Sequence, residues 1–389
     1  MRCYLLTMFG FVIPAISCVA AQDFVLPIGG TPYEDWTIVN YVDLDPSSDI
    51  EDWRGGGYTY NGHNAIDFTL PNFAAMDAGV DVYAARSGTV IHINDGEYDR
   101  WSRVNPNPGD LPNYVVIDHG GGIVTEYLHL KNSSIPVAVG QSVSAGQKIG
   151  EVGSSGYSSD AHLHFAVYDS GTVVETYLDP ASWWESPLAY AGDVAGTLDF
   201  GIVDHIPTTA ELVDRPIDHD VFYRSDGSGQ VAYSWVNLFG FDPGDDLDYY
   251  FYRPDGSEQA HWHWTTGEIR YGWWYAGIGL PAVPALGEWT LTAQRNGTTL
   301  YSDSFWVHTS PGDFTGDGIV DGNDFLTWQR DPNIGNLADW QANYGDGGML
   351  TGTLAVPEPT TLAVVCIALI FTGSLPVFRS YRFRLGANS

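Results

Sequence analysis

The sequence predicts a mainly β protein: an antiparallel β-sheet domain, followed by an immunoglobulin-like (Ig-like) β-sandwich and a small α-helical module. Three observations carry this prediction. Residues 22–192 are Gly-rich and fall into short alternating segments, with no long stretch of helical period. Residues 193–310 alternate between turn signals at the spacing of sandwich strands. Residues 311–346 change character again, to an Asp/Gly loop and two short helical patterns.

Within the first domain, "VDVYAARSGTVIHI" and "YVVIDHGGGIVTEYLHL" read as strand, turn, strand, and "GQSVSAGQKIGEVG" has the same hairpin-like pattern. In the second, "AYSWVNLFGF", "DYYFYRPDG", "HWHWTTG" and "EWTLTAQRNGTTLYSDSFWV" supply the strands. Strand alternation there puts His261 and His263 on one face and Trp262 and Trp264 on the other. A sugar platform or a second metal site is one reading of this run and of Trp273, Trp274 and Tyr275. Cross-strand aromatic pairing is the preferred one, because aromatics are enriched in strands in any case.

Composition bounds the function. A chain of 389 residues with 44% apolar content is long enough for two or three real cores. Its 48 acidic residues against 16 basic give a formal charge of -32. Such a surface repels phosphate backbones, so nucleic acid is excluded as a partner. The three cysteines, Cys3, Cys18 and Cys366, lie in the terminal hydrophobic segments, so no disulfide staples the domains between them.

The two ends read as addresses. Residues 1–21 have the form of a signal peptide: Arg2, an apolar run, and Val19-Ala20-Ala21 before Gln22. A lipobox, Ala15-Ile16-Ser17-Cys18, is the alternative. Residues 347–389 combine a linker with a tail. Pro359 to Phe378 carries no charge over a length that spans a bilayer, and Arg379, Arg382 and Arg384 follow it. With Val356-Pro357-Glu358-Pro359 in front, this tail resembles a PEP-CTERM sorting signal. The resemblance implies a transmembrane helix and an exosortase-type sorting enzyme as partner; a plain membrane anchor is the alternative. Both readings place the domains outside the inner membrane, on the cell surface or in the extracellular matrix.

Chemistry concentrates in three short segments. In "NGHNAIDF", His63 and Asp67 are four apart, which puts them on one face of a helix or of a strand. In "AHLHFAVY", His162 and His164 share one strand face while Leu163 and Phe165 point to a core. In "TEYLHL", Thr125, Tyr127 and His129 are expected on one face. Imidazoles and carboxylates are zinc ligands, and two imidazoles on one face are costly as packing alone.

In order and spacing these segments resemble the lysostaphin-type and LytM-type peptidases, from about Gly55 to Val167. The resemblance implies that His63, Asp67 and His164 hold a catalytic Zn2+ and that His129 and His162 are the catalytic pair; which of the two is the general base stays open. It implies peptide-bond hydrolysis, with peptidoglycan cross-bridges or Gly-containing peptides as substrate. Ala65, Asp160, Ala161 and Ala166 depart from the family's usual residues and bear on the groove's shape rather than on the ligands. Tyr58 and Tyr60 are both candidates to donate to an oxyanion. The insertion "DGEYDRWSRVNPNPGDLPN" is a candidate groove wall. His119 and His92 read as turn and strand residues. The competing functions are a non-catalytic wall-binding or amidase-activating module, and a surface adhesion protein.

"DFTGDGIVDGND" reads as a Ca2+ loop. Its ligand positions are Asp313, Thr315, Asp317, the Ile319 carbonyl, Asp321 and Asp324, with Gly318 at the sixth place, where the turn needs it. The segment resembles half of a dockerin, because the partner acidic loop is missing. A calcium-stiffened spacer is the expectation.

Overall fold

The computed structural model describes residues 24–227 and 229–346. The segments read above as a signal peptide and a sorting tail lie outside the described residues. Within those described, no helix is long and apolar enough to cross a membrane.

The first domain contains ten strands: β1 (Thr37–Asn40), β2 (Ile66–Thr69), β3 (Asp81–Tyr83), β4 (Gly88–Asn94), β5 (Tyr114–Asp118), β6 (Ile123–Leu128), β7 (Ser142–Val143), β8 (Lys148–Glu151), β9 (His162–Asp169) and β10 (Thr172–Val173). The main sheet runs β1-β2-β9-β6-β5-β4-β7, with β10 on β9, and its pairs are antiparallel. One face packs on a core that includes Phe68, Tyr127, Leu163 and Phe165, all buried. Side chains of this size contribute about 1.5–3 kcal/mol each when buried. The other face carries the polar members of the same alternation.

"YVVIDHGGGIVTEYLHL" forms the expected hairpin of β5 and β6. "GQSVSAGQKIGEVG" does not form one. Its chain does reverse, at Ser144–Gln147, but β7 bonds to β4 while β8 bonds to β3 in a separate two-stranded sheet. Two strands close in sequence found better partners at long range than in each other.

The second domain has two sheets, with strands β11 (Gly196–Val203), β12 (Val221–Tyr223), β13 (Val231–Phe241), β14 (Asp246–Tyr252), β15 (Glu258–Thr265), β16 (Ile269–Gly279), β17 (Gly287–Arg295) and β18 (Thr298–His308). Their orders are β11-β13-β16 and β12-β18-β17-β14-β15, with one parallel pair, β12 and β18. A second core, including Val236, Leu247, Trp289 and Phe305, belongs to these strands. Trp264 packs against Trp274 and Tyr249, in keeping with aromatic packing in the "HWHW" run. His261 and His263 do share a face, where both bond Asp248 at 2.6 and 3.0 Å.

Five short helices complete the described chain: α1 (Phe73–Ala78), α2 (Pro180–Trp183), α3 (Thr209–Asp214), α4 (Gly322–Arg330) and α5 (Leu337–Asn343). The last two fall on the two short segments of residues 311–346 that read as helical. Asp321 caps α4 and forms a capping box with Asp324.

The two β domains touch closely. Val213 of α3 belongs to the first core, and Trp273 of β16 packs against it. The insertion between β4 and β5 is tied to both: the Arg100 guanidinium bonds Asp77 next to α1's C-terminus and Asp214 of α3, each at 2.7 Å.

Candidate metal centre and groove

Strand register assembles the site. Asp67 of β2 lies directly opposite His164 of β9, and Thr69 opposite His162. Paired residues project to the same side of a sheet, so the carboxylate and both imidazoles emerge together. His63 is not on β2. It sits in a turn before the strand, its amide bonded to the Tyr60 carbonyl at 3.0 Å. The four-residue spacing to Asp67 therefore works through a turn and not through a shared helix or strand face.

His129 also departs from the expected alternation. Tyr127 pairs with Phe165 on the core side, whereas Leu128 pairs with His164. A straight strand would send His129 to the core side beside Tyr127. Instead β6 ends at Leu128, and His129 takes φ = 63°, the left-handed region rare for non-glycine residues. That turn swings the ring to the histidine side: its centroid is 4.5 Å from that of His162 and 5.6 Å from that of His164.

Donor atoms of three residues converge. His63 Nε2 lies 3.1 Å from Asp67 Oδ2 and 3.4 Å from His164 Nδ1, and His164 Nδ1 lies 3.0 Å from Asp67 Oδ1. A tetrahedral ion with bonds of about 2.0–2.1 Å has ligand–ligand edges of roughly 3.3–3.4 Å, so this spacing suits zinc. His63 Nδ1 donates to the Tyr41 carbonyl at 2.8 Å, which leaves the Nε2 lone pair facing the cluster. Asn40 holds Asp67 Oδ2 from outside at 2.8 Å. Among the described residues two sets of three bring their donor atoms within 4.8 Å of one another: His63, Asp67 and His164, and His129, His162 and His164.

The remaining histidines are oriented by backbone carbonyls. His129 Nδ1 donates to Ser155 O at 2.6 Å and His162 Nδ1 to Asp160 O at 2.8 Å. In the neutral imidazoles both Nε2 atoms are then acceptors. Burial, then the neighbouring His162 and His164 charges, hold the His129 imidazole well below its usual pKa. At Asp67 burial works to raise the pKa, but the His63 and His162 charges and the imidazole hydrogen bonds outweigh it and keep the carboxyl ionised. His119 bonds Ser87 O and Thr125 Oγ1 and stays out of the cluster, as expected.

The structure separates the two tyrosines. Tyr58 is buried in the core cluster beside Tyr190. Tyr60 is 52% exposed, and its ring lies 4.5 Å from that of His63. Burial, followed by the Asp67 charge, pushes its phenol up to about 12, so it remains a proton donor near neutrality.

Several supporting residues had no signal in the sequence. The carbonyls of Tyr41, Ser155 and Asp160 are invisible there. So is Glu175, a buried carboxyl pushed up to about 7 by burial, which accepts from the amides of Val42 and Tyr177 behind His63. The loop carboxylates Asp313 and Asp324 are both buried, but they accept backbone amides: Asp313 from Gly316 and Gly318, Asp324 from Thr315 and Asp321. Asp317 and Asp321 likewise accept from Ile319 and Asn323.

The structure thus presents a main antiparallel sheet carrying a His/Asp cluster that could hold a metal ion. Residues 61–176 match the model of Peptidase family M23. Over 112 residues the chain is 38% identical to peptidoglycan DD-endopeptidase ShyA of Vibrio cholerae, covering 29% of this chain and 21% of that protein. It is 31% identical over 136 residues to lysostaphin of Staphylococcus simulans, covering 35% and 24%. The chain thus spans about a fifth to a quarter of these relatives. Among solved structures, a zinc-containing peptidase from Vibrio cholerae aligns at 29% identity over 36% of this chain and 39% of that one, with TM-score 0.24.

Proposed function

We propose that this chain is an exported zinc metalloendopeptidase that hydrolyses peptide bonds in peptidoglycan cross-bridges or Gly-containing peptides. The observation that carries the reading is the convergence of donor atoms from three residues at 3.0–3.4 Å with two further histidines beside them. His63, Asp67 and His164 would hold the ion; zinc, when bound, supplies Lewis acidity and activates water. The rest belongs to the chain's own side chains. His129 and His162, each fixed through Nδ1, present Nε2 to accept the proton of the attacking water and return one to the leaving amine. Tyr60 donates to the oxygen of the attacked carbonyl, where charge develops.

The other parts of the reading are an N-terminal signal peptide, a PEP-CTERM tail recognised by an exosortase-type enzyme, and a Ca2+ ion in the loop of Asp313, Thr315, Asp317, Ile319, Asp321 and Asp324. The central claim is tested on the chain from residue 22 to 346. It should release peptide fragments from purified peptidoglycan, detected by mass spectrometry, and contain about one zinc per chain. His164→Ala should hold well under one and release none. Zinc retained at wild-type level in that variant would remove the ligand assignment. A metal-loaded wild type that releases no fragments would favour a non-catalytic wall-binding module.

A further inference from the structure

The sandwich domain reaches into the groove. A pocket of about 200 Å³ beside the cluster is lined by Asp67, His162 and Thr69 of the first domain, by Arg103 of the insertion, and by Arg270 and Tyr271 of β16. Two contacts fix β16 there. The Tyr271 hydroxyl lies 2.9 and 3.0 Å from the carbonyls of Leu70 and Pro71, directly after β2. Arg270 Nη1 donates to the carbonyls of Gly57 and Thr59, ahead of His63, at 2.8 Å in the case of Thr59. Arg103 stacks over Trp273 of the same strand, 4.6 Å from the ring centroid.

The two arginines are not equivalent. Arg103 is neutralised by Asp160 at 2.5 Å. Arg270 is held by neutral carbonyls, and among the described residues it makes no ion pair with a carboxylate. Its hydrogen bonds to described residues use Nη1 only, leaving the Nε–Nη2 edge, which matches the two oxygens of a carboxylate. Asp67 and Asp160 also line the pocket, yet neither forms an ion pair with Arg270, which is unexpected in a chain with 16 basic residues against 48 acidic.

We infer that Arg270 is a specificity-determining residue that binds a free carboxylate of the peptide substrate, one or two residues from the cut bond. The inference rests on the peptidase reading above and names its substrate class: wall peptides bearing a free carboxylate on the side of the groove built by β16. The carboxylate belongs either to a chain end or to an acidic side chain. In this arrangement the sandwich is part of the peptidase groove and not a separate binding module.

The test uses metal-free protein spanning residues 22–346, so that binding is read without cleavage. Sedimentation is compared on purified peptidoglycan and on the same material with its carboxyl groups converted to amides. Removing negative charge should strengthen binding of so acidic a protein everywhere except at a cationic subsite. The wild type should nevertheless favour the untreated material by about tenfold, the scale of one charge-assisted hydrogen-bonded pair. Arg270→Gln should lose the preference, and Arg270→Lys should keep part of it; thermal melting checks that both are folded. Arg253→Gln, on the sandwich away from the groove, should behave as wild type. Displacement by N-acetyl-Ala-Ala or by N-acetyl-Ala-Glu amide tells a terminal carboxylate from a side-chain one. Equal binding to both materials, or a preference that survives in Arg270→Gln, overturns the inference. Zinc-loaded wild type that shows the preference yet cleaves nothing would instead overturn the peptidase reading and leave the carboxylate subsite standing.

Discussion

His129 is the residue whose backbone most clearly serves the site. Its left-handed φ of 63° costs on the order of 1–3 kcal/mol, which the Ser155 hydrogen bond and the packing of the buried ring help to offset. The return is a third imidazole on a face that a regular strand would have denied it. Because His129 and His162 bond backbone carbonyls through Nδ1, each of His129→Ala and His162→Ala should lower turnover by about 10²–10⁴-fold while zinc stays bound. The double variant should lose less than the product of the two, since groups acting on one proton path are not additive. Turnover and elemental analysis on the same preparations decide this. Zinc lost from either single variant would move that histidine into the ligand set, which the second close cluster of His129, His162 and His164 makes a concrete alternative.

At the scale of elements, the site is a row across a sheet. Asn40 of β1 pairs with Asp67 of β2, Asp67 with His164 of β9, His164 with Leu128 of β6, and Leu128 with Tyr114 of β5. A slip of one residue in β9 would turn both of its histidines into the core, so burial of Leu163 and Phe165 also enforces the chemistry. Gly153 guards the approach of β9 to the segment after His129. It bridges to His162, and a Cβ there would stand 2.5 Å from the Lys131 amide and 2.6 Å from the Leu130 carbonyl carbon. Backbone cannot give way as a side-chain tip can. Gly153→Ala should therefore destabilise the domain by roughly 1–3 kcal/mol. It should also reduce turnover beyond what the unfolded fraction explains. Thermal melting beside turnover measured well below the melting point separates the two effects; an unchanged midpoint would mean that the strands can part without cost.

Across the whole molecule, contacts tie the pieces into a series. The insertion joins α1 to α3 through Arg100, Arg270 and Tyr271 of β16 line the pocket beside the cluster, and Tyr223 of β12 bonds Asp339 of α5 at 3.2 Å. The loop before α4 lies at the end remote in sequence from the cluster. If it binds Ca2+, Asp317→Ala should abolish calcium-dependent protection of residues 311–346 against proteolysis and leave peptidase turnover unchanged. Protection that does not depend on calcium in the wild type would dismiss the metal there. A parallel loss of turnover would show the module coupled to the groove through the sandwich.

The sequence by itself determined the β class, the division into strand-rich and short-helical parts, and the residues that cluster. Those features are local: a period of two along "HLHF" already fixes which side chains share a face, and the reading of β9 from that pattern agrees with the strand observed. Tertiary structure decided whatever depends on partners distant in sequence. It set β7 and β8 against different strands, because pairing energy comes from whichever edge is available and not from proximity in the chain. It placed His63 in a turn and His129 beyond a strand end, where a single dihedral outweighs periodicity. It buried Tyr58 in the core and left Tyr60 exposed beside His63. And it brought Arg270 more than 200 residues along the chain to the edge of the cluster, a meeting that no local pattern encodes because it is fixed by how two separately folded cores pack.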